Sequence, residues 1–333
     1  MTPRQSLSGE TLSAFDLGVG LDTAVRRAAG PFAEIVSVHR APSPHATVSP
    51  AEVVSVELAS GERISIFVKH LGEEQRSHPD KRVREREVRV YGELLDDRGL
   101  PVPRFLGSSW NDATERRELF LEYIDGLNLK YQELRHWHTA ARHLAQLHLA
   151  FALQGERLLG RDFLLRLDRD YLFAWAGRAV AAVSLRSADL ASRLQRTVDD
   201  LSAAADLLAE QPPTLVHNDL APKNVIADTS ARPGRTCIVD WEMAGVGCGL
   251  MDLAHLTYGL PPRELERMFD LYCEELTGTG LMPSHEEGKR LLAACQLHGA
   301  IYRLAHAGAW RLPLERVGEW IADCEELNRE VAR

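Results

Sequence analysis

Cysteine is scarce in this sequence, and its spacing excludes the roles that cysteine clusters usually play. Five of the 333 residues are cysteine, all in the last third of the chain, and no two of them form a C-x-x-C pair. An odd number of cysteines without paired spacing predicts neither a disulfide framework nor a zinc site. We therefore expect free, buried thiols, as in a protein of the reducing cytoplasm.

Long apolar runs and an excess of basic residues are also missing. The first residues carry no basic stretch followed by an apolar run, so we expect no secretory signal. No segment approaches the ~18 consecutive apolar residues of a membrane helix. Lysine and arginine number 39 against 48 acidic residues, a net charge of −9. Because nucleic-acid-binding domains usually carry a basic face, neither nucleic acid nor a membrane is an expected partner. The oligomeric state stays open.

Strand-forming runs dominate the first part of the chain. Four short runs rich in β-formers are bounded by turn residues: Phe32–His39, Val53–Leu58, Ile64–Lys69 and Glu118–Ile124. The short links between the first three predict an antiparallel meander. Residues 1–32 predict short helical pieces, and the spacing of apolar residues predicts one helix at Asp80–Asp97.

The rest of the chain is mostly helical in pattern. Apolar residues at helical spacing predict five helices: His138–Leu153, Leu190–Leu208, Arg263–Leu276, Glu286–Ala307 and Leu314–Val331. Three short β-rich runs interrupt them: Thr214–His217, Asn224–Ala227 and Cys237–Trp241. This order predicts an α+β fold, with a small antiparallel β-sheet lobe that carries one helix and a larger, mainly helical lobe.

A loop and a hairpin in the helical part carry the residues that point to chemistry. Asp219 and Asn224 stand in His-Asn-Asp-Leu-Ala-Pro-Lys-Asn. Asn224 begins one predicted strand of the hairpin, and Asp240 lies at the end of the other. The hairpin should bring Asn224 near Asp240, and their oxygen atoms suit Mg²⁺, which takes few protein ligands. Asp219, just before the hairpin, is placed to accept a proton from a hydroxyl group. Phosphoryl transfer requires this set of groups.

Written as a pattern, this stretch resembles the catalytic loop of the protein-kinase-like superfamily. His217-x-Asp219-x-x-x-x-Asn224 matches the H-x-D-x-x-x-x-N of that loop. The details are similar to the aminoglycoside phosphotransferase and choline kinase family, which reads D-W-E where protein kinases read D-F-G. The matching segments are Asp240-Trp241-Glu242, Gly247 ahead of Asp252-Leu253-Ala254, and Leu144-Ala145-Gln146-Leu147-His148. The resemblance runs from about residue 33 to about residue 260.

The resemblance implies a two-lobed protein-kinase-like fold and an enzyme that uses ATP and Mg²⁺ to phosphorylate a hydroxyl group of a small molecule. It implies Asp219 as the catalytic base and Asn224 and Asp240 as the magnesium ligands. It also implies that Asp252 braces the catalytic loop, beneath which His217 packs.

The same resemblance sets the expected domain organisation. A helical extension is expected at 1–32, a nucleotide-binding N-lobe at 33–124, and a catalytic, acceptor-binding C-lobe at 125–333.

Periodicity places two charged residues where a nucleotide site needs them. Lys69 lies at the end of a predicted strand and shares a face with Phe67. Glu87 falls on the apolar face of the predicted helix, where a carboxylate needs a cationic partner. Kinases hold the α- and β-phosphates with a strand lysine paired to a helix glutamate. We therefore expect Lys69 to pair with Glu87, with Glu85 as the competing candidate.

Further positions are expected around the nucleotide. Phe67 is either a stacking surface for adenine, as in similar antibiotic kinases, or a core residue. Glu122-Tyr123, at the end of the last strand of the small lobe, resembles the hinge whose backbone meets the adenine edge. No G-x-G-x-x-G covers the phosphates, and Ser43 or Thr47 are the hydroxyls that would substitute for it.

The sequence leaves the acceptor open. Choline or ethanolamine, a sugar, homoserine and an aminoglycoside are all candidates, and ATP is not distinguished from GTP. Four aromatic residues form either a cation–π box for a quaternary amine or, as is more usual for helical aromatics, part of the core: Tyr258, Tyr302, Trp310 and Trp320. The Ala-, Arg- and Leu-rich composition is typical of high-GC bacteria, in which antibiotic-resistance kinases abound.

One alternative belongs to a different class of function. A pseudokinase would bind nucleotide or a metabolite without transferring phosphate, and the atypical phosphate loop favours it. The complete set of Asp219, Asn224 and Asp240 opposes it. A protein kinase is disfavoured because no activation loop follows Asp240.

Overall fold

A division into two units is visible in the contacts of the chain. The structure, a computed structural model, describes residues 17–43, 49–72, 78–112, 115–228, 235–281 and 284–333. The first unit takes the chain up to Leu127 together with Ile226–Glu242, and the second takes Asn128–Val225 and Met243–Arg333. The hairpin segment ending at Glu242 therefore belongs with the N-terminal unit.

The first unit is built on a five-stranded antiparallel sheet with the order β1-β2-β3-β5-β4. The strands are β1 (Ile35–Pro42), β2 (Ala51–Leu58), β3 (Arg63–Leu71), β4 (Phe105–Asn111) and β5 (Arg116–Glu122). Central strand β3 pairs Lys69 with Ala51 on β2 and with Leu119 on β5. The predicted three-strand meander is confirmed, and its strand ends differ from the prediction by up to three residues.

Helix α1 (Gly18–Ala29) covers one face of this sheet. Its apolar residues share a core with the sheet residues Val54, Val56, Ile66, Val68 and Phe120. Because side chains alternate along a strand, burying Ile66 and Val68 on this face turns Phe67 and Lys69 to the other face. The predicted helical pieces at 1–32 are thus represented by α1, and residues 1–16 lie outside the described residues.

Close packing of α1 on the sheet predicts that Gly20 cannot be enlarged. An ideal Cβ at Gly20 would lie 2.4 Å from Ser109 Oγ and 2.8 Å from the Phe120 ring. We expect Gly20→Ala to lower the free energy of unfolding by about 1–3 kcal/mol, measured by urea denaturation. In the control Gly177→Ala, the new Cβ meets no described atom within 4 Å, and alanine should stabilise the helix by up to about 1 kcal/mol. Equal stabilities of the two variants would contradict this packing.

The predicted helix at 80–97 is wrong at its start. Regular helix α2 spans only Arg86–Arg89 and continues as a π-helical stretch at Val90–Leu95. The Nη1 of Arg86 donates a hydrogen bond to the carbonyl oxygen of Asp80. Before α2, the chain forms only a short 3₁₀ turn at Pro79–Lys81, and this bond ties that turn to α2.

Strand β4 is not predicted by the sequence pattern. Its middle is Gly107-Ser108-Ser109, which are poor strand formers. Gly107 has a φ of 141°, and the pairing with β5 shifts register between Phe105 and Gly107. A bulge at a glycine breaks the alternation from which strands are recognised.

The second unit is mainly helical. Its helices are α3 (Leu134–Ala152), α4 (Gly155–Leu159), α5 (Arg169–Ser184), α6 (Ala188–Asp199), α7 (Ser202–Ala209), α8 (Leu250–Leu256), α9 (Pro262–Leu276), α10 (His285–Ala305) and α11 (Leu314–Val331). The predicted α+β class is confirmed. Among the described residues, no helix has the length and apolar character needed to cross a membrane.

The helices of the second unit differ from the prediction. Leu190–Leu208 is not one helix, because the chain leaves the helical ladder between α6 and α7 at Asp200 and Leu201. Helix α5 was not predicted. It is rich in alanine and buries Trp175 together with several alanines, so it lacks a clear polar face opposite an apolar one.

Short strands position the loop that carries the candidate chemistry. They are β6 (Leu127–Asn128), β7 (Leu165–Arg166), β8 (Thr214–Val216), β9 (Val225–Asp228), β10 (Arg235–Ile238) and β11 (Gly245–Gly247). In the second unit, β7, β11 and β8 form one sheet. The loop from His217 to Asn224 begins where β8 ends and stops where β9 begins, and Asp240 follows β10 by two residues.

Candidate active site

Lys69 lies between two carboxylates of the first unit. Its Nζ is 2.7 Å from Glu87 Oε2 and 2.5 Å from Asp240 Oδ1. The Lys69 side chain is 11% exposed, that of Glu87 3% and that of Asp240 25%. The structure thus brings the strand lysine to the helix glutamate expected from periodicity. Glu85 accepts a hydrogen bond from Arg117 instead, at 2.7 Å.

Lys69 and Glu87 have shifted pKa values because their charges interact with each other and with those of Asp240 and Glu242. Burial opposes the charge of Lys69, but Asp240, Glu87 and Glu242 outweigh it and raise the pKa of Lys69 well above its usual value. Burial, together with the charges of Asp240 and Glu242, raises the pKa of Glu87 to about 7, although Lys69 acts in the opposite direction. The neighbouring carboxylates therefore favour the charged form of Lys69, and Glu242 is in turn paired with Lys81.

The backbone around Asp240 is held in an unusual conformation. Asp240 has a φ of 72°, in the left-handed region that favours glycine. Trp241 is fully buried, and its Nε1 donates to Ile238 O at 3.3 Å. Arg86 donates to the carbonyl oxygen of Glu242 at 2.7 Å, and Lys81 forms an ion pair with the Glu242 side chain. These contacts hold the segment against α2, and such strain is typical of functional sites.

Arg86 and Lys81 were not identified from the sequence. They belong to the basic run Lys-Arg-Val-Arg-Glu-Arg at 81–86, which by itself indicates only a solvated surface. The burial of Arg86, which is 3% exposed, is what separates it from its neighbours.

The other residues expected around the nucleotide lie on β3, at the end of β5 and directly after β1. Phe67 is half-buried on the Lys69 face and pairs with Leu121 in the sheet. The Glu122 N–H donates to Arg104 O at 2.9 Å and the Tyr123 N–H to Ser65 O at 3.4 Å. Arg235 binds the Glu122 carboxylate at 2.5 Å. The loop residue Ser43 is buried next to β2, and Thr47 lies outside the described residues.

In the second unit, Asp252 holds the loop that carries Asp219. Its two carboxylate oxygens accept the backbone N–H groups of His217, at 2.7 Å, and of Asn218, at 2.8 Å. His148 lies 3.3 Å from the same carboxylate and 2.7 Å from the hydroxyl of Tyr272. Burial opposes the charge of Asp252, but the contacts with His148 and His217 lower its pKa below the usual value. A fully buried charge thus fixes the loop.

The loop itself is strained and cross-linked. Asn218 has a φ of 63°, and its Nδ2 donates to the hydroxyl of Tyr171 on α5 at 3.0 Å. The fully buried His217 accepts the Asp219 N–H on Nδ1 at 3.2 Å. The contact with Tyr171 was not predicted, because α5 itself was not.

Asn224 and Lys223 fix the Asp219 carboxylate. Asn224 Nδ2 donates to Asp219 O at 2.8 Å and to Asp219 Oδ2 at 3.2 Å. Lys223 Nζ lies 3.4 Å from Asp219 Oδ2. Since the amide nitrogen of Asn224 is turned to Asp219, its amide oxygen is the atom that it can offer to a cation.

Asn224 and Asp240 each offer an oxygen atom of the kind that magnesium binds. An amide oxygen of Asn224 and a carboxylate of Asp240, one at each end of the β9–β10 hairpin, are hard oxygen ligands of the kind that Mg²⁺ prefers. Among the described residues there is no cluster of three or more His, Cys, Asp or Glu that suits a transition metal. That Asn224 and Asp240 share one ion stays a prediction from the sequence.

Comparisons with known proteins agree with these features. The model of the phosphotransferase enzyme family matches residues 64–287, about two-thirds of the chain. No curated protein sequence matches significantly. Solved structures similar to this chain share its protein-kinase-like fold.

Three of these structures illustrate the similarity. A microcompartment-associated aminopropanol kinase is 15% identical, with 93% of this chain and 98% of that chain covered and a TM-score of 0.62. The choline kinase of Cryptosporidium parvum is 15% identical, with 94% and 93% covered and a TM-score of 0.56. A thermostable mutant of the aminoglycoside phosphotransferase APH(4)-Ia, in complex with ADP and hygromycin B, is 16% identical, with 90% and 96% covered and a TM-score of 0.58.

Proposed function

The chain belongs to the phosphotransferase enzyme family, and we propose that it transfers the γ-phosphoryl group of ATP, with Mg²⁺, to a hydroxyl group of a small molecule. The observation that carries the proposal is the nearly buried Lys69 between Glu87 and Asp240. A lysine held on a strand by a helix glutamate, beside a candidate metal ligand, has little structural purpose without a polyphosphate to bind. The ADP found in one structural neighbour supports a nucleotide substrate.

The residues of the first unit hold the nucleotide in this proposal. Lys69 donates to the α- and β-phosphates, and Glu87 keeps its ammonium group in place. Phe67 lies on the adenine side, where a half-buried aromatic face suits stacking. The N–H groups of Glu122 and Tyr123 already donate within the sheet. Their carbonyl oxygens are therefore the atoms that would meet the adenine edge.

The residues of the second unit act on the acceptor. Asp219 accepts the proton of the acceptor hydroxyl as the hydroxyl oxygen bonds to the γ-phosphorus and the bond from that phosphorus to ADP breaks. Asn224 and Lys223 keep the Asp219 carboxylate in one orientation. Asn224, together with Asp240 of the first unit, would hold the magnesium ion, whose charge would neutralise the phosphate oxygens.

Lys69 provides a test on the nucleotide side. We expect Lys69→Met to raise the Kd for ATP, in the presence of MgCl₂, by roughly 10–150-fold, because it removes charged hydrogen bonds worth about 1.5–3 kcal/mol. Isothermal titration calorimetry measures the change, and a thermal unfolding scan shows that the variant is folded.

A matched control is available on the surface. Lys289 also pairs with a glutamate, Glu266, at 3.1 Å, but both side chains are well exposed. Lys289→Met should leave the Kd unchanged. ATP binding by Lys69→Met as tight as that by the control would remove Lys69 from the nucleotide site.

A further inference from the structure

Two buried cysteines of the second unit lie side by side. Cys248 stands just before α8, and Cys295 lies on α10. Their Sγ atoms are 4.0 Å apart, and both thiols are free. The S–S bond of a disulfide is about 2.05 Å long, so the two sulfur atoms need to approach by about 2 Å to form one.

A cavity of about 40 Å³ gives access to one of these thiols. Its lining includes Cys248 and also Pro212, which is exposed at the protein surface. A cavity needs about 10–15 Å³ to hold one water molecule. A molecule of hydrogen peroxide, with two oxygen atoms instead of one, therefore fits between the surface and the Cys248 thiol.

The two thiols differ in how they meet a reagent. Cys295 is fully buried and is not among the described residues that line the cavity. Burial, followed by the hydrogen bond that Cys295 donates to Cys248, raises the pKa of the Cys295 thiol well above its usual value. Since the thiolate is the reactive form, Cys295 reacts slowly with an oxidant from solvent. Such an oxidant therefore meets Cys248 first, and Cys295 is placed to close the bond.

Cys248 is close in the chain to the residue that holds the catalytic loop. Further along the same segment, Asp252 of α8 accepts the N–H groups of His217, at 2.7 Å, and Asn218, at 2.8 Å. His148, which lines the same cavity as Cys248, lies 3.3 Å from the Asp252 carboxylate. The thiol pair and the catalytic loop are therefore joined through the first turn of α8.

The first turn of α8 is packed too closely to absorb a shift. An added Cβ at Gly249, the residue after Cys248, would lie 2.6 Å from His148 Nδ1 and 2.9 Å from the Tyr272 hydroxyl. Close-packed interiors transmit a displacement because they have few voids to take it up. A movement of Cys248 towards α10 therefore moves the start of α8, and with it the carboxylate of Asp252.

We propose that Cys248 and Cys295 form a disulfide when the protein meets hydrogen peroxide, and that this bond loosens the hold of Asp252 on the catalytic loop. The Cys248 sulfur bonds to one oxygen atom of the peroxide, the O–O bond breaks, and the other oxygen leaves as water with the thiol proton. The Cys295 sulfur, already in contact, then bonds to the sulfur of this sulfenic acid, and the S–O bond breaks to release water with the Cys295 proton. The two sulfur atoms lose two electrons, which the peroxide takes up. This modification goes beyond the phosphotransferase function and does not depend on it.

Mass spectrometry of the whole chain tests the bond. The protein is reduced with dithiothreitol, freed of the reductant, treated with hydrogen peroxide and digested without reduction. The peroxide concentration is raised until the half-buried Cys273 is oxidised. We expect a cross-linked pair of peptides that contain Cys248 and Cys295, lighter by two hydrogen atoms and absent after renewed reduction. Oxidation of Cys273 without this cross-link would overturn the proposal.

Two variants identify the order of the two steps. Cys295→Ala should leave a sulfenic acid on Cys248, captured by dimedone on unfolding, whereas Cys248→Ala should leave Cys295 unreacted. Cys324→Ala is the control, because Cys324 is also fully buried, on α11, and this variant should form the cross-link as the unchanged protein does. A sulfenic acid captured on Cys295 in Cys248→Ala would contradict access through the cavity.

Hydrogen exchange measures the effect on the catalytic loop without any phosphoryl transfer. The amides of His217 and Asn218 are protected by their bonds to Asp252. We expect them to exchange about tenfold faster in the cross-linked protein, and at the original rate after dithiothreitol. Peroxide-treated Cys295→Ala should keep the original rate throughout. Unchanged exchange in the cross-linked protein would refute the coupling to the loop. Because neither nucleotide nor acceptor takes part, that failure is distinguishable from failure of the phosphotransferase proposal.

Discussion

Replacing Asp219 by asparagine is expected to lower the turnover number by about 10²–10⁴-fold while ATP binding stays close to that of the unchanged protein. Asparagine has the shape of aspartate, but its amide cannot take the proton of an acceptor hydroxyl. The Asp219 carboxylate is held by Asn224 Nδ2 at 3.2 Å and Lys223 Nζ at 3.4 Å. Its side chain is 36% exposed, so a substrate can reach it. A group so placed is suited to proton transfer and contributes little to the core.

The measurement is a coupled ADP-release assay with ATP and GTP over a panel of acceptors. The panel contains amino alcohols, hydroxy amino acids, sugars, nucleosides and antibiotics. Asp199→Asn is the control, because Asp199 is an exposed carboxylate that only accepts a bond from Gln195 at 2.7 Å. Turnover by Asp219→Asn equal to that of the control would show that Asp219 is not the base. ATP binding by the unchanged protein with no phosphorylated product from any acceptor would instead support the pseudokinase.

Lys69 and Glu87 could be predicted from the sequence because each is identified by the pattern of the residues next to it in the chain. Lys69 lies on a strand whose alternation is regular, and Glu87 is a carboxylate among apolar residues at helical spacing. The choice between Glu87 and Glu85 depended only on which of them falls on the apolar face of the helix. The late start of α2 at Arg86 did not disturb that choice, because Glu87, Val90 and Tyr91 all lie beyond it.

Elements with irregular local patterns could not be predicted. Strand β4 is interrupted by Gly107, and helix α5 lacks a polar face. Helix α5 carries a residue that the candidate site uses indirectly, Tyr171, which binds Asn218. Contacts of this kind depend on positions far apart in the chain, and periodicity carries no information about them.

The role of four aromatic residues between Tyr258 and Trp320 also could not be decided from the sequence. The sequence offered Tyr258, Tyr302, Trp310 and Trp320 as a cation–π box or as core. In the structure, Arg303 of the chain itself stacks on Tyr258, and Tyr302 packs against Trp175 with ring centres 4.4 Å apart. A cation is indeed present at these rings, but it belongs to the protein.

Asp252→Ala is expected to lower the free energy of unfolding by about 3–5 kcal/mol, because it removes one member of a buried, charged network. Three groups would lose their acceptor at once: the N–H groups of His217 and Asn218, and the ring of His148. Urea denaturation measures the loss. Asp270→Ala is the control, since Asp270 also contacts a histidine, His285, at 3.1 Å, but its side chain is 38% exposed. Such a surface pair contributes about 0–1 kcal/mol.

The pH dependence separates the charge of Asp252 from its volume. The folded protein lowers the pKa of Asp252 below the usual value of 3.8, so the unfolded chain takes up the proton first as the pH falls. The stabilisation is therefore complete well above pH 3.8 and declines as the pH falls below that value towards the folded pKa. The difference in unfolding free energy between the unchanged protein and Asp252→Ala should be constant near neutral pH and shrink in acid. A difference that is the same at all pH values would mean that Asp252 acts through packing alone, and the loop of Asp219 would then be fixed by His217 and Tyr171.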